Sequence, residues 1–155
     1  MTTSGPALWQ PEFDVEQRPD GTILMAQMGK AEVLATSIPE RLIHWAETTQ
    51  DTPYLGQRDD SGDWRRLSYR QVFDAVRQIG AGLLGLGLGP DRPLLVLSGN
   101  DIEHALIGLA AQYVGVPYAP ISTAYSLVSD DHAKLRDIAA LLKPGAVFVA
   151  DAPPF

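Results

Sequence analysis

The sequence predicts an α/β fold, a mostly parallel sheet with helices on both faces, preceded by a β-hairpin. Residues 92–122 read RPLLVLSGNDIEHALIGLAAQYVGVPYAPIS, which scans as strand, tight loop, helix and strand. The runs Leu94 to Leu97 and Ala146 to Ala150 are continuously apolar, as strands are when both faces are buried. From Trp64 onward such runs alternate with helical stripes in the order β, α, β, α, β, α, β. That alternation belongs to parallel sheets with crossover helices. Two regions follow: residues 1–36, an irregular N-terminal segment with a hairpin, and residues 37–155, an incomplete α/β N-terminal subdomain.

In the first region Phe13 and Val15 alternate with polar residues, as do Ile23 and Met25. Pro19, Asp20 and Gly21 lie between them, and Asp-Gly is hairpin-turn chemistry. Residues 29–36 carry no period. Ser37 opens the first helix with an S-x-x-E capping box to Glu40, proline being tolerated in the first turn. Ile38, Leu42, Trp45 and Ala46 fall on its inner face. His44, with no second ligand or carboxylate nearby in sequence, reads as a surface histidine. Residues 54–58 and 64–67 form a second hairpin around Asp59, Asp60, Ser61 and Gly62.

Ser68 and Gln71 make another capping box. Behind it Val72, Phe73, Val76, Ile79 and Leu83 recur at helical spacing, which marks a core helix. The string Gly80-Ala81-Gly82-Leu83-Leu84-Gly85 matches G-x-G-x-x-G, but it does not follow a strand or open a helix. It lies within or at the C-terminal end of a helix, where the dipole has the wrong sign for phosphate. These glycines are expected to allow close helix packing instead.

In the central unit, Ile102, Ala105, Leu106, Leu109, Ala110 and Tyr113 form the buried stripe. Gly115 and Pro117 end the helix, and Tyr118 to Ile121 extends again. Two buried strands joined by one helix run parallel with a right-handed crossover. Residues 122–127 read as polar loop. Ser129 caps a last helix reaching Leu142, with Leu135, Ile138, Ala139 and Leu142 inside. Asp130, Asp131 and His132 resemble a metal cluster only superficially, since acidic residues in the first turn of that helix are what its dipole favours.

The bulk composition narrows the function. The formal net charge is −7 with 20% charged and 45% hydrophobic residues. Such a balance repels phosphate backbones and anionic lipid, so no nucleic acid and no membrane partner is expected. The sequence contains no cysteine, which excludes disulfides, thiolate catalysis and Cys-ligated zinc. The N-terminus lacks a basic segment followed by an apolar one, and no window reaches the roughly 20 apolar residues of a span. The expected location is cytoplasmic.

No catalytic, cofactor-binding or metal-binding residue is assigned. G-x-S-x-G, H-E-x-x-H and G-x-x-x-x-G-K-[ST] are all missing. The best generic ligand position is the loop Ser98, Gly99 and Asn100, between a strand and a helix N-terminus. Asp101 and Glu103 already place negative charge there, and Asn100 with Glu103 fits a cap. Glu103 and His104, being adjacent on a helix, point in different directions.

Several segments, in order, resemble a known superfamily. Leu67-Ser68-Tyr69-Arg70-Gln71 resembles the early L-[ST]-Y-x-[EQ] motif of the adenylate-forming acyl-CoA synthetases, the AMP-binding enzymes. Gly115-Val116-Pro117-Tyr118-Ala119-Pro120-Ile121 is similar to their next motif. Ser98-Gly99-Asn100 with Glu103-His104-Ala105 looks most like the feruloyl-CoA synthetase branch. So does Tyr118-Ala119-Pro120-Ile121-Ser122 with Ala124-Tyr125-Ser126-Leu127. The likeness runs from about residue 37 to 150.

The resemblance implies the N-terminal fragment of an ATP-dependent acid–CoA ligase acting on an aromatic acid such as ferulate. ATP, magnesium and coenzyme A are implied for the full-length enzyme, and none is expected bound to the fragment. The family's phosphate loop, magnesium-binding glutamate and catalytic lysine all fall beyond Phe155, so the isolated chain is expected to be inactive. Where relatives carry Asn-Pro and sometimes a basic residue meeting coenzyme A, this chain has Ser122-Thr123-Ala124, and no such contact is assigned. The expected partner is the remainder of the enzyme, and an uncovered sheet edge predicts a homo-dimer. Two other readings stay open: a stand-alone binding or regulatory module without catalysis, and a small nucleotide-binding α/β protein using the Ser98, Gly99 and Asn100 loop.

Overall fold

A computed structural model describes residues 12–29 and 36–150. The readings made above for residues 1–11, 30–35 and 151–155 lie outside the described residues. The chain divides into two units, Met1–Leu34 and Ala35–Phe155, and each is described by itself.

The first unit is the expected hairpin. Strand β1 (Phe13–Gln17) pairs antiparallel with β2 (Ile23–Gln27), Phe13 opposite Gln27 and Val15 opposite Met25. In the turn the Asp20 carboxylate accepts from the Thr22 amide at 2.9 Å. Gly21 has φ +86°, a conformation that side chains disfavour.

The second unit opens with α1 (Ile38–Thr48), β3 (Pro53–Arg58), β4 (Trp64–Ser68) and α2 (Tyr69–Gly85). Ser37 Oγ accepts from the Glu40 amide as expected, but the capping box does not close. The Glu40 carboxylate turns to the Thr36 hydroxyl and amide at 2.7 and 2.6 Å, and these hold its pKa below the ordinary glutamate range. The inner face of α1 also differs from the expected one. Pro39, Leu42 and Ala46 are buried, while Ile38 is 59% exposed. Trp45, half exposed, lies beside Tyr69 with the Arg41 guanidinium 5.3 Å from its ring centroid. At α2 the capping box is complete: Ser68 Oγ takes the Gln71 amide, and Gln71 Oε1 takes the Ser68 amide.

The parallel sheet is made of β5 (Leu94–Leu97), β6 (Tyr118–Pro120) and β7 (Ala146–Val149), in the order β6-β5-β7. Leu94 pairs with Tyr118 on one side and Ala146 on the other, all parallel. The sheet is shorter than the alternation from Trp64 suggested, because β4 pairs with β3 in a separate antiparallel hairpin. Alternate residues of β5 feed two cores. Leu94 and Val96 join Val72, Val76 and Leu83 of α2 and the buried side of α3 (Ile102–Tyr113). Leu95 and Leu97 pack with Ile121 and Leu135 on the opposite face, under α5 (Ala133–Leu142). Helices therefore cover both faces.

Helix α3 is buried more widely than its stripe implied. Ile107, Gly108 and Ala111 are buried as well, since α3 is wedged between α2 and the sheet, whereas Tyr113 is 38% exposed. All glycines of the G-x-G-x-x-G string lie inside α2. Gly80 faces α3 so closely that a Cβ there would stand 2.7 Å from Val114 Cγ1.

After β6 the structure corrects two readings. The expected loop at 122–127 contains a short helix α4 (Thr123–Ser126), capped by Ser122 Oγ on the Ala124 amide. The helix expected from Ser129 starts instead at Ala133, after His132 with φ +50°. Ser129 Oγ accepts from the His132 amide, and Asp131 Oδ1 accepts from the Ala133 amide. These short side chains satisfy local backbone donors in a turn and so delay the helix.

Candidate functional site

Strand β5 has β6 on one side and β7 on the other, and its neighbours are reached over opposite faces through α3 and α5. The loops leaving the carboxyl ends of β5 and β6 diverge there, which is where open α/β sheets place ligands. They enclose a shallow cleft of about 360 Å³. Its lining comes from Ser98, Gly99 and Asn100 after β5, from His104 on α3, and from Pro120, Ile121, Ser122 and Thr123 after β6.

The Ser98, Gly99 and Asn100 loop singled out in the sequence is thus joined by two groups that sequence reading left aside. Ser122 and Thr123 come from the adjacent strand end. His104 reaches back from the first turn of α3, its Nδ1 lying 2.7 Å from Ser98 Oγ and 3.1 Å from the Gly99 carbonyl. The imidazole thus clamps the loop, whichever ring nitrogen holds the proton. Ser98 is 4% exposed and engaged by His104, so it presents no nucleophile to the cleft.

The N-terminus of α3 is already satisfied by protein groups. Its cap is Asp101, whose Oδ1 accepts from the His104 amide at 2.6 Å, rather than the Asn100 and Glu103 arrangement read from sequence. The Ile102 amide donates to Gln57 Oε1 at 2.9 Å. Glu103 points elsewhere, to Arg65 on β4 at 2.6 Å, and that hydrogen bond holds its pKa below the ordinary range.

The Arg65–Glu103 pair carries a pH signature. A carboxylate with a depressed folded pKa stabilises the fold above its unfolded pKa, and the contribution disappears as pH falls through the folded value. Both side chains are nearly half exposed, so screening keeps the pair to about 0.2–1 kcal/mol. Arg65→Gln is expected to lower stability by that amount in urea melts at neutral pH and by nothing in acid. A gap of equal size at both ends of the range would contradict the pairing.

The residues of the cleft do not fit a nucleoside triphosphate with its metal. The eight that line it include neither Lys nor Arg, and two amide donors of the α3 N-terminus are occupied. Among the described residues there is no group of three His, Cys, Asp or Glu able to hold a metal ion. Asn100, Ser122, Thr123 and the free edge of His104 suit neutral hydrogen-bonding groups. Among the described residues no helix is long and apolar enough to cross a membrane.

Residues 42–153 match the AMP-binding enzyme family. Solved structures share the fold at low identity. The fatty acid AMP ligase from Legionella pneumophila superposes with a TM-score of 0.66 at 18% identity, over 76% of this chain and 20% of that one. Acetoacetyl-CoA synthetase from Streptomyces lividans gives 0.62 at 19% identity, over 72% and 16%. The N-terminal subdomain of NpsA from Klebsiella oxytoca, in complex with 3-hydroxyanthranilyl-AMSN, gives 0.61 at 15%, over 74% and 27%. The chain therefore spans about a fifth of the length of the first of these. No curated protein sequence matches it.

Proposed function

The chain belongs to the AMP-binding enzyme family, and on that premise we propose that it is the front layer of a longer ATP-dependent carboxylic acid–CoA ligase. Such an enzyme joins an acid to the α-phosphate of ATP, releasing pyrophosphate, and then passes the acyl group to the thiol of coenzyme A as AMP leaves. Magnesium would accompany the ATP. The substrate we favour is an aromatic acid such as ferulate, supported by the Ser98-Gly99-Asn100, Glu103-His104-Ala105 and Tyr118-to-Leu127 segments.

The carrying observation is the family match over residues 42–153, on a fold whose switch-point cleft lacks any cation for phosphate. This chain's own part is accordingly structural. It supplies the strands β5, β6 and β7 and the helices that back them, and the phosphate-handling groups belong to the rest of the enzyme. That remainder is the proposed partner, covering the edges β6 and β7, where Val147 is 51% exposed. Uncovered edges recruit other strands, so the isolated chain is expected to dimerise. A monomer mass by light scattering at high concentration would contradict the dimer.

Pyrophosphate release tests the reading. The 155-residue chain with MgATP, ferulate and coenzyme A is expected to stay at the blank rate. The longest polypeptide encoded with it is expected to release pyrophosphate with ferulate at least tenfold faster than with acetate or palmitate. Turnover by the chain alone overturns the scaffold role, and preference for a fatty acid overturns the aromatic substrate.

A further inference from the structure

The outer face of the β3–β4 hairpin gathers aromatic rings and guanidinium groups. The register sets Arg58 opposite Trp64 and Gly56 opposite Arg66, so these positions share a face, while Leu55 and Leu67 turn in to the core. Gly56 lets the Trp64 indole lie across its strand, the position of a Cβ being 3.6 Å from the ring. The guanidinium carbons of Arg58 and Arg66 stand 5.0 and 5.4 Å from the indole centroid. Tyr54, stacked on Tyr69 at 4.5 Å, forms the other wall of a groove of about 180 Å³ over Gly56.

This face is open, and its two arginines make no ion pair. Arg58, Arg66 and Trp64 are exposed, Trp64 by 48%. The ion pairs among the described residues are Arg18–Glu16 and Arg65–Glu103, and neither uses Arg58 or Arg66. Two guanidinium groups outside any ion pair therefore share this face, bordered at the turn by Asp59, Asp60 and Asp63.

Trp, Tyr and Arg are the residue types that carry most binding energy at protein interfaces. Guanidinium groups held against an indole lose little freedom when a carboxylate arrives, and they can receive it bidentately. A small molecule would bury only one side in so shallow a groove, whereas an extended segment can span groove and both arginines. We propose that this face docks an acidic segment of a partner protein, its carboxylates on Arg58 and Arg66 and an apolar side chain between Tyr54 and Trp64.

Fluorescence anisotropy of a fluorescein-labelled peptide, Glu-Glu-Leu-Glu-Glu repeated twice, tests this. Binding is expected at low salt, with the matching Lys peptide failing to bind. Arg58→Gln with Arg66→Gln is expected to weaken it at least tenfold. The control pair Arg77→Gln with Lys134→Gln, an equal charge change at exposed sites elsewhere, is expected to weaken it no more than twofold. Trp64→Phe, which keeps a ring over Gly56, is expected to weaken it severalfold while the circular dichroism spectrum is unchanged. Absence of binding, or equal weakening by the two pairs, overturns the proposal. So does self-association abolished by Arg58→Gln with Arg66→Gln when the peptide does not bind, because the occupant is then a second copy of the chain.

Discussion

Val76→Asp is expected to remove a large share of the stability of the α/β unit. Val76 is 0% exposed and sits in the larger core with Val72 and Leu83 of α2, Val96 of β5 and Ala110 of α3. A carboxyl group there displaces apolar contact and finds no partner, and whether it stays charged or takes up a proton its burial costs several kcal/mol. At about 4 kcal/mol the thermal midpoint falls by roughly 8–16 °C for a chain of this size. Against total stabilities of about 5–15 kcal/mol that is a large share of the whole. Thermal melts followed by circular dichroism measure it, and a loss under about 1 kcal/mol would contradict the packing of α2 on β5.

Gly80→Leu is the second large effect, because it forces α2 and α3 apart. The Cβ alone would stand 2.7 Å from Val114 Cγ1, with the Ala110 carbonyl oxygen and the Tyr113 ring both at 3.7 Å. Valine has little rotamer freedom with which to yield, and overpacking typically costs about 1–3 kcal/mol before the rest of a leucine is placed. The expected loss is about 3 kcal/mol or more, partly restored by adding Val114→Ala, since the two sites share one contact. Gly82 supplies the comparison. Nothing lies within 4 Å of its Cβ position, so Gly82→Ala should gain up to about 1 kcal/mol of helix propensity. If Gly80→Leu and Gly82→Ala behaved alike, the helix packing described here would be wrong.

Those two positions also show what could be read from the sequence. The stripe through Val76 and the interruption of α2 by glycines are local patterns, and both reappear as packing. So do the Ser68–Gln71 capping box and the apolar run of β5, whose four residues are all buried. Partners in space were less legible. The pairing of 54–58 with 64–67 was legible from its turn, but a strand at the head of an alternating series looks the same whether or not it joins the parallel sheet, which is why β4 was also counted in that series. Asn and Asp are nearly equal as caps, so Asn100 and Asp101 could not be ranked by residue type. His104 meets Ser98 and Gly99 only once β5 turns into α3, although adjacency did forecast that it and Glu103 diverge. Trp64, Arg65 and Arg66 are consecutive in sequence. Only the pairing register separates Arg65, bound to Glu103, from Arg66 beside the indole.

The proposed scaffold role requires the nucleotide to be held by other parts of the enzyme. Isothermal titration of the 155-residue chain with MgATP at two temperatures measures this, because the heat-capacity change of binding gives a saturable heat at one temperature even if the enthalpy is zero at the other. The expected trace is dilution heat alone up to millimolar ATP. A saturable isotherm at micromolar concentration, lost on replacing Asn100 or His104, would place the nucleotide in the cleft beyond β5 and contradict the scaffold role.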